Sequence, residues 1–354
     1  MTPVATETCV PTQESAVMLN DFVSHIEHDH DITVDTDDDG GRFIENAGFR
    51  ITMSAAAEGL RIRVTGPSPD MLVFFKDAIA QHVAEFDAEV AKSLRWTGET
   101  SQVGALPDNF RILTLSQRSE PMPGLVRATV TVEDDALFSV EGLHLRMMLP
   151  EMPGRTPVWP SMGANGAPVW PQGDDRLHMR TITIRHARPE RRELDLDVVS
   201  HGEGLISGWA SGAEIGAQIG CMGPVGETAL PEASEYLMIA DQTGLPAVAR
   251  LLENVPDGAT GQVICEAESD DALQGYLPQT AFDVKAIPGP AFSEDMQAHV
   301  ASVLRPGVTD NALFLGEFSD AQALRKLFKG TLGLGKGAQL SVAYWRRGEA
   351  GFDG

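Results

Sequence analysis

The feature that most constrains the fold is a change of pattern near Gly226. Before it, six β-like runs follow one another, many of them alternating apolar and polar residues, with no long helix between them. Such alternation is typical of a strand with one buried face. Six strands arranged in this way predict a closed antiparallel β-barrel. The runs are Phe110–Ser116, Leu125–Val132, His144–Leu149, Leu177–Arg185, Leu194–Ser200 and Gln218–Met222.

After Gly226 the chain alternates short apolar runs with segments of helical spacing. This order predicts a parallel sheet covered by helices, and therefore an α/β nucleotide-binding domain. The predicted strands are Tyr236–Ala240, Gly261–Glu266, Ala312–Gly316 and Gln339–Trp345, and the predicted helices are Thr243–Glu253 and Asp320–Phe328.

The residues before the barrel predict a small α+β domain that ends in a long helix, Pro69–Leu94, with a capping signal at Ser68. A turn-rich stretch follows this helix and marks a boundary. We therefore predict a multidomain chain. Its segments are a flexible tail at 1–15, a small α+β domain at 16–97, a linker at 98–109, a β-barrel domain at 110–228 and an α/β domain at 229–354.

Charge and composition exclude several classes of function. The formal net charge is −24, whereas nucleic-acid binding needs a basic surface, so we expect no nucleic-acid partner. No apolar stretch is long enough to span a bilayer, and the first residues lack the pattern of a signal peptide. We expect a cytoplasmic protein that does not insert into membranes. The oligomeric state is left open, with a monomer as one alternative.

Three cysteines, Cys9, Cys221 and Cys265, lie far apart and form no CxxC pair. This usage fits a reducing compartment and excludes a cluster held by four thiolates. Any redox chemistry must therefore come from an organic cofactor.

Three motifs suggest ion or phosphate sites, but their contexts favour simpler interpretations. The segment 35–40 resembles half of a calcium loop, yet Asn46 stands where the bidentate glutamate belongs, which favours a hairpin turn. The segment 330–337 has P-loop spacing but follows a helix, which favours a helix-to-strand connection. His25, His28 and His30 could hold a metal, but acidic neighbours favour a solvated helix end. We therefore predict no metal site.

Two neighbouring segments carry the functional argument. Alternation along the strand Arg180–Arg185 places Arg180, Ile182 and Ile184 on one face and the intervening residues on the other. The next strand runs into a glycine-containing segment, 201–210, that begins a short helix. Glycines at such a junction let backbone N–H groups approach a diphosphate, and the helix dipole favours its charge.

In order and spacing these segments resemble the siderophore-interacting family, a branch of the ferredoxin-reductase-like flavoproteins. The family's FAD signature, Arg-x-Tyr-Thr-x-Arg, is similar to Arg180 through Arg185, and its next signature is similar to His201 through Trp209. Gly216–Gly226 resembles the barrel exit, and Tyr236–Ala247 resembles the opening of the nicotinamide domain. Glu317 and the terminal segment 344–348 complete a resemblance that covers roughly residues 110–350. The N-terminal part resembles a small domain of unassigned function that is sometimes fused to this family.

The resemblance implies an FAD-dependent reductase that uses NAD(P)H to reduce ferric siderophores and release Fe(II). The flavin itself would transfer the electrons, so no catalytic side chain is implied. The implied cofactor-binding residues are Arg180, Thr181, Ile182, Thr183, Arg185, His201, Gly202, Gly204, Leu205, Ile206, Ser207, Trp209, Asp241, Thr243, Pro246, Glu317, Tyr344 and Trp345. The candidate substrate-binding residues are Arg185, Arg188 and Arg346.

Two departures from the family pattern keep alternatives open. Ile182 replaces the aromatic residue that stacks on the flavin, which forfeits roughly 0.5–1.5 kcal/mol of stacking. Leu205-Ile206 replaces Pro-Ala. The alternatives are a different flavin-dependent NAD(P)H reductase, or a non-catalytic protein with this fold that binds siderophore or flavin. The siderophore and the choice between NADH and NADPH are also left open.

Overall fold

The computed structural model describes residues 3–29, 32–46, 48–66, 69–98, 102–138, 142–200, 202, 204–226, 228–335 and 337–352. The chain divides into two compact units. One comprises Met1–Phe110 with Pro150–Leu177, and the other comprises Arg111–Leu149 with His178–Gly354.

The first unit contains a five-stranded antiparallel sheet with the strand order β1-β5-β4-β3-β2. Apolar residues of α1 and α2, such as Phe22 and Val83, pack against Met53 and Ile62 of the sheet. The predicted α+β character is confirmed. The elements are β1 (Val4–Pro11), α1 (Ser15–Asp29), β2 (Asp35–Thr36), β3 (Arg42–Asn46), β4 (Phe49–Ala56), β5 (Gly59–Gly66), α2 (Pro69–Phe86) and α3 (Ala88–Ser93).

Residues Val4–Pro11 correct the expectation of a flexible tail. They form β1, which pairs with β5 over its whole length. Thr6, Thr8 and Val10 are buried at alternate positions, so a sequence of mixed polarity still supplies one inward face.

The predicted helix Pro69–Leu94 is two helices in the structure. Asp87 lies between them in an extended conformation, and its carboxylate accepts hydrogen bonds from the N–H groups of Glu89 and Val90 at 2.9 and 3.0 Å. This N-cap starts α3. Ser68, the predicted cap of the first helix, lies outside the described residues. The calcium-like segment is a hairpin turn in which Asp37 accepts from Gly41 N at 2.6 Å.

The predicted six-stranded barrel is confirmed and closes in the order β11-β12-β7-β6-β13-β8. Leu113, Leu115, Val130, Leu145 and Leu196 fill its interior. The elements of this region are β6 (Phe110–Met122), β7 (Leu125–Val132), β8 (His144–Pro150), β9 (Ser161–Met162), β10 (Pro168–Val169), β11 (Leu177–Arg188), β12 (Glu193–Val199), α4 (Leu205–Gly212) and β13 (Gln218–Val225).

The insert between β8 and β11 groups with the first unit, although the predicted domain 110–228 includes it. Within that unit, the Trp170 indole donates to Asp77 Oδ1 at 3.0 Å, and the Asn165 amide donates to the Ala91 carbonyl at 3.2 Å. Pairings between residues so distant in sequence cannot be read from local pattern.

The C-terminal region is the predicted parallel sheet with helices, in the strand order β16-β15-β14-β17-β18. Its elements are β14 (Glu235–Ala240), α5 (Leu245–Leu252), β15 (Thr260–Glu266), α6 (Asp270–Tyr276), β16 (Asp283–Ile287), α7 (Phe292–Val303), β17 (Asn311–Glu317), α8 (Phe318–Leu327) and β18 (Gln339–Trp345). The P-loop-like segment 330–337 begins inside a π-helical turn, Phe328–Leu332, and leads to β18, so it connects a helix to a strand as expected. Lys336 lies outside the described residues.

Polar contacts join the barrel to this sheet within the second unit. Arg185 of β11 pairs with Glu253 at 2.7 Å, and Arg250 of α5 donates to the Ile184 carbonyl at 2.7 Å. The Tyr276 hydroxyl donates to Asp197 Oδ2 of β12, also at 2.7 Å. Within the part of the chain that the structure describes, no helix combines the length and the apolar character needed to cross a bilayer.

Candidate cofactor and substrate site

Strand β11 carries the first group of candidate residues. Thr183 and Arg185 are buried, Thr181 is exposed, and Arg180 is half-buried. Ile182 is half-buried and packs against the barrel core, to which Ile184 belongs, so these two residues share a side as alternation predicts.

Arg180 differs from the other candidate arginines in its partners. Its Nη1 donates to the carbonyl of the adjacent Met179 at 2.6 Å, and among the described residues no carboxylate forms an ion pair with it. Arg185, Arg188 and Arg346 each pair with an acidic side chain. Among these four arginines, Arg180 is therefore the one whose guanidinium has no ion-pair partner within the described residues. Such a guanidinium can bind a diphosphate without first breaking an ion pair.

Arg185 and Arg188 line an open cleft of about 430 Å³ with His186, Ala187, Arg250 and Glu253. Arg185 is buried against Glu253, and its guanidinium lies 5.7 Å from the centre of the Tyr276 ring. Its Nε is buried and has no hydrogen-bond partner among the described residues. Residues 180–183 do not line this cleft. The structure thus places the candidate residues of β11 in two different surroundings.

The residues that line the cleft carry more positive than negative charge. Acidic residues of β12 form ion pairs with part of the positive charge. Arg188 donates to Asp195 Oδ2 and Oδ1 at 2.7 and 2.6 Å and to Glu193 at 3.1 Å. Burial opposes ionisation of Asp195, but hydrogen bonds from Arg188, His186 and Thr129 outweigh it and lower the pKa of the carboxyl.

The segment that leads into α4 has the backbone that the sequence predicts. Gly202 and Gly204 have φ angles of +71° and +102°, in the region that favours glycine, and Gly204 is the N-cap of α4. The first-turn N–H groups at Leu205–Ser207 point out of the N-terminal end of the helix, where they have no acceptor within it. Because glycine has no side chain, Gly204 does not cap them. His201 lies outside the described residues.

The rest of α4 points toward the barrel. Ile206 and Trp209 belong to the barrel core, and the Ser207 hydroxyl donates to the Val199 carbonyl at 3.0 Å. These side chains therefore fix the helix on β12. The Trp209 Nε1 is buried and meets no hydrogen-bond partner within the part of the chain that the structure describes.

A third group lies at the carboxyl edge of the parallel sheet, after β14. The Asp241 carboxylate is buried and its Oδ1 accepts from Thr243 N at 2.8 Å, Thr243 Oγ1 at 2.5 Å and Gly244 N at 3.3 Å. Burial raises the pKa of Asp241, although these hydrogen bonds oppose the rise. Pro246 follows in the first turn of α5.

Glu317 is the last residue of β17, the strand that lies beside β14 in the sheet. Its carboxylate caps α8 by accepting from Ser319 N at 2.6 Å and Asp320 N at 3.3 Å, and it accepts from Arg347 N at 3.1 Å. Burial of Glu317 opposes its ionisation, but these backbone hydrogen bonds prevail and lower its pKa.

The C-terminal aromatic residues contact both parts of the second unit. The Trp345 Nε1 donates to Asp241 Oδ2 at 2.7 Å, and Tyr344 Oη lies 3.0 Å from His144 Nε2 of the barrel. Burial and the charge of Arg250 lower the pKa of His144 to about 4, so its ring is neutral at physiological pH. Burial raises the pKa of Tyr344, so its hydroxyl keeps its proton beside the neutral imidazole.

Sequence reasoning missed several residues of this edge. Glu266, at the end of β15, accepts from Gln242 N at 3.2 Å, and burial raises its pKa. The position of Glu266 at the end of a predicted strand could have located it, because parallel strands end at a common edge of the sheet. Gly316 and Gly244 are also required there: an added Cβ would lie 2.5 Å from Asp241 Oδ2 and 2.3 Å from the Leu315 carbonyl oxygen, respectively.

These arrangements fit FAD and NAD(P)H by the chemistry of their donors. Arg180 and the first turn of α4 supply a guanidinium and backbone N–H groups, which suit a diphosphate. The edge between β14 and β17 is where strand order reverses, with β15 and β16 on one side and β18 on the other. Nucleotides bind at such switch points. The residues Asp241, Thr243, Glu317 and Trp345 are together at this edge, whereas Arg346 pairs with Glu349 and lies over Phe318.

Three family models match successive parts of the chain. Residues 114–228 match the siderophore-interacting FAD-binding domain, and residues 233–348 match the siderophore-interacting protein domain. Residues 7–97 match a family described as an uncharacterized protein conserved in bacteria.

Individual proteins show the same similarity. Ferric vibriobactin reductase ViuB of Vibrio cholerae is 26% identical over 68% of this chain and 90% of its own length. The NADPH-dependent ferric-chelate reductase of Escherichia coli is 32% identical over 48% of this chain and 66% of its own length. The siderophore-interacting protein SipS from Aeromonas hydrophila has a TM-score of 0.57 and 27% identity, over 68% of this chain and 93% of SipS. The chain belongs to the siderophore-interacting protein family.

Proposed function

We propose that this protein is an FAD-dependent reductase that uses NAD(P)H to reduce ferric siderophores, so that Fe(II) is released. The observation that carries the proposal is that the candidate residues for both cofactors belong to one compact unit. Arg180 and the N-terminus of α4 are the candidates for a diphosphate on the barrel, and the β14–β17 edge is the candidate nucleotide site on the sheet.

On the barrel side, Arg180 and the α4 N-terminus would hold the FAD diphosphate. Thr181, Thr183 and Arg185 of β11 and the loop at His201 are the further candidates for the flavin site. Ile182 would pack its aliphatic side chain on the ring. Burial of Ile206 and Trp209 in the barrel core positions α4, so its first turn is held rigidly where it would meet the phosphates.

On the sheet side, the turn after Asp241 and the residues Glu317, Tyr344 and Trp345 would form the NAD(P)H site. The Asp241 carboxylate organises the turn, because it accepts three hydrogen bonds from Thr243 and Gly244 and a fourth from Trp345. Pro246 begins the following helix in the same turn. A bound FAD supplies the conversion of a two-electron hydride from NAD(P)H into single electrons for Fe(III).

No proton transfer by a side chain is needed for reduction of the metal. The neutral imidazole of His144 fits this view, because its pKa of about 4 makes it a poor proton donor at neutral pH. Fe(II) is held less strongly than Fe(III) by the hard oxygen ligands of a siderophore, so reduction favours release.

The cleft at the β11–α5 junction suits an anionic substrate. Arg185, Arg188 and Arg250 outnumber Glu253 there, in a chain whose overall charge is −24. Local arginines would offset the long-range repulsion between such a chain and a negatively charged ferric complex. Of the two candidate substrate-binding residues on β11, Arg188 is more exposed than Arg185. Arg346 would bind substrate at the C-terminal edge.

We extend the proposal to the domain boundaries, the cellular location and the oligomeric state. The boundaries at 97, 109 and 228 would separate the small domain, linker, barrel and α/β domain, and the protein would act in the cytoplasm, with a monomer as the simplest active form. Sedimentation of the purified protein tests the oligomeric state.

An anaerobic optical titration tests the proposed reaction. The purified protein should carry FAD or take it up, and NADH or NADPH should bleach its absorption. Addition of a ferric siderophore should restore the oxidised spectrum while a chromogenic chelator reports Fe(II). A protein that binds flavin but is not bleached would be a binding protein. A protein that is bleached but reoxidised only by other acceptors would be a different flavin reductase.

A further inference from the structure

A cluster of three metal-binding side chains lies in the N-terminal unit. His25 is on α1, and His82 and Glu85 are one turn apart on α2. Of the histidines considered in the sequence, His25 belongs to this cluster, with His82 and Glu85 in place of the predicted neighbours. His28 is exposed and its Nδ1 contacts the Ser24 carbonyl at 2.8 Å, and His30 lies outside the described residues.

The distances within the cluster have the size that shared metal coordination requires. His25 Nε2 lies 3.3 Å from His82 Nδ1 and 3.4 Å from Glu85 Oε2, and His82 Nδ1 lies 3.7 Å from Glu85 Oε1. Two ligands at about 2.1 Å from a tetrahedral ion are roughly 3.4 Å apart. A network formed only by hydrogen bonds would favour shorter separations, near about 2.9 Å.

The surroundings hold the two imidazoles in place. Phe86 packs edge-on against His25 at 5.6 Å between ring centres, and Phe22 packs edge-on against His82 at 6.3 Å. The side chains of His25 and His82 are only 13% and 23% exposed, while Glu85 is 56% exposed. The nitrogen ligands are therefore fixed by packing, and the site opens to solvent on its carboxylate side.

We propose that His25, His82 and Glu85 bind a divalent first-row transition metal ion between α1 and α2. Two imidazoles and one carboxylate suit Zn(II), Fe(II) and their neighbours better than Mg(II) or Ca(II), which prefer oxygen ligands alone. Three protein ligands leave at least one position of the ion open to water or another ligand. The site lies in the first unit, whereas the candidate flavin and nucleotide residues belong to the second.

Metal binding by the full-length, untagged protein tests the site. After treatment with a chelator and dialysis, the protein is equilibrated with Zn(II) in excess Mg(II), which occupies weak carboxylate sites, and bound zinc is measured by elemental analysis and calorimetry. We expect one tightly bound equivalent. His25→Ala and His82→Ala should each weaken that binding by more than about 100-fold, because even outer-shell partners of a ligand contribute roughly 10–100-fold.

Two further variants make the result decisive. Glu85→Gln changes an exposed side chain with little risk to folding, and it should also weaken zinc binding. His28→Ala removes an exposed histidine from the same helix as His25 and should leave binding unchanged. The proposal is overturned if the wild type binds no tight equivalent, or if Glu85→Gln and folded His25→Ala, checked by circular dichroism, bind as the wild type does.

Discussion

The Trp345 indole N–H donates a 2.7 Å hydrogen bond to Asp241 Oδ2 and so connects the ends of β18 and β14 across the intervening β17. Asp241 is nearly completely buried, and its other oxygen accepts from the turn that begins α5. One carboxylate thus ties the C-terminus of the chain to the turn proposed to bind NAD(P)H.

Trp345→Phe should destabilise the protein by about 1–3 kcal/mol, because it removes a donor from a buried carboxylate. Burial places the pKa of Asp241 above its ordinary value, so its ionisation lowers stability as pH rises through the folded-state pKa. The lost hydrogen bond favoured the charged form, and the destabilisation should therefore be larger at pH 7 than in acid. Urea unfolding at several pH values measures this.

Trp170→Phe provides the matched control for that variant. It removes another indole–carboxylate hydrogen bond, to Asp77 in the N-terminal unit. It should leave the affinity for NAD(P)H unchanged, whereas Trp345→Phe should weaken it. Equal effects of the two variants on that affinity would remove Asp241 and Trp345 from the proposed site.

His144 should make stability depend on pH. Its folded-state pKa of about 4 lies below the ordinary 6.5, so the unfolded chain binds a proton more readily between these values. The contribution of His144 is complete above about pH 6.5 and is lost as pH falls toward 4, by at most about 3 kcal/mol.

His144→Gln should flatten this part of the stability profile, since glutamine does not titrate. The comparison uses the free energy of unfolding measured between pH 4 and pH 7. Identical slopes for wild type and His144→Gln would contradict the shifted pKa.

Arg180→Ala should lose most of its bound FAD. A charge-assisted contact to phosphate contributes about 1.5–3 kcal/mol, which corresponds to roughly 10–150-fold in affinity. Arg191→Ala is the control, because Arg191 is an exposed arginine at the β11–β12 turn that pairs with Glu193. Flavin content is measured by absorption after purification. Unchanged FAD in Arg180→Ala would exclude this residue from the diphosphate site.

Ile182→Tyr should bind FAD more tightly, by up to about tenfold, if the side chain covers a face of the ring. Ile182 is half-buried, so a larger side chain has space on its open side. Ile184→Tyr should instead lower the melting temperature, because Ile184 is 3% exposed in the barrel core and overpacking costs about 1–3 kcal/mol. A destabilised Ile182→Tyr with unaltered FAD affinity would show that Ile182 has no contact with the flavin.

Local pattern was sufficient for much of the fold. Alternating polarity located the six barrel strands, and alternation of strands with helices identified the parallel sheet. Local pattern did not predict the strand at residues 4–11, which has a mixed sequence and pairs with β5. It also did not predict that Asp87 divides the long helix into two. A polar cap and a partner strand override propensity at such positions.

The sequence by itself determined the architecture and the family, because hydrophobic periodicity and short motifs are properties of neighbouring residues. Only the tertiary structure decided which polar groups meet. It left Arg180 without an ion-pair partner among the described residues while burying Arg185 against Glu253, and it brought His25 to His82 across two helices. Such pairings join residues far apart in the chain, and their distances and burial depend on how the elements pack.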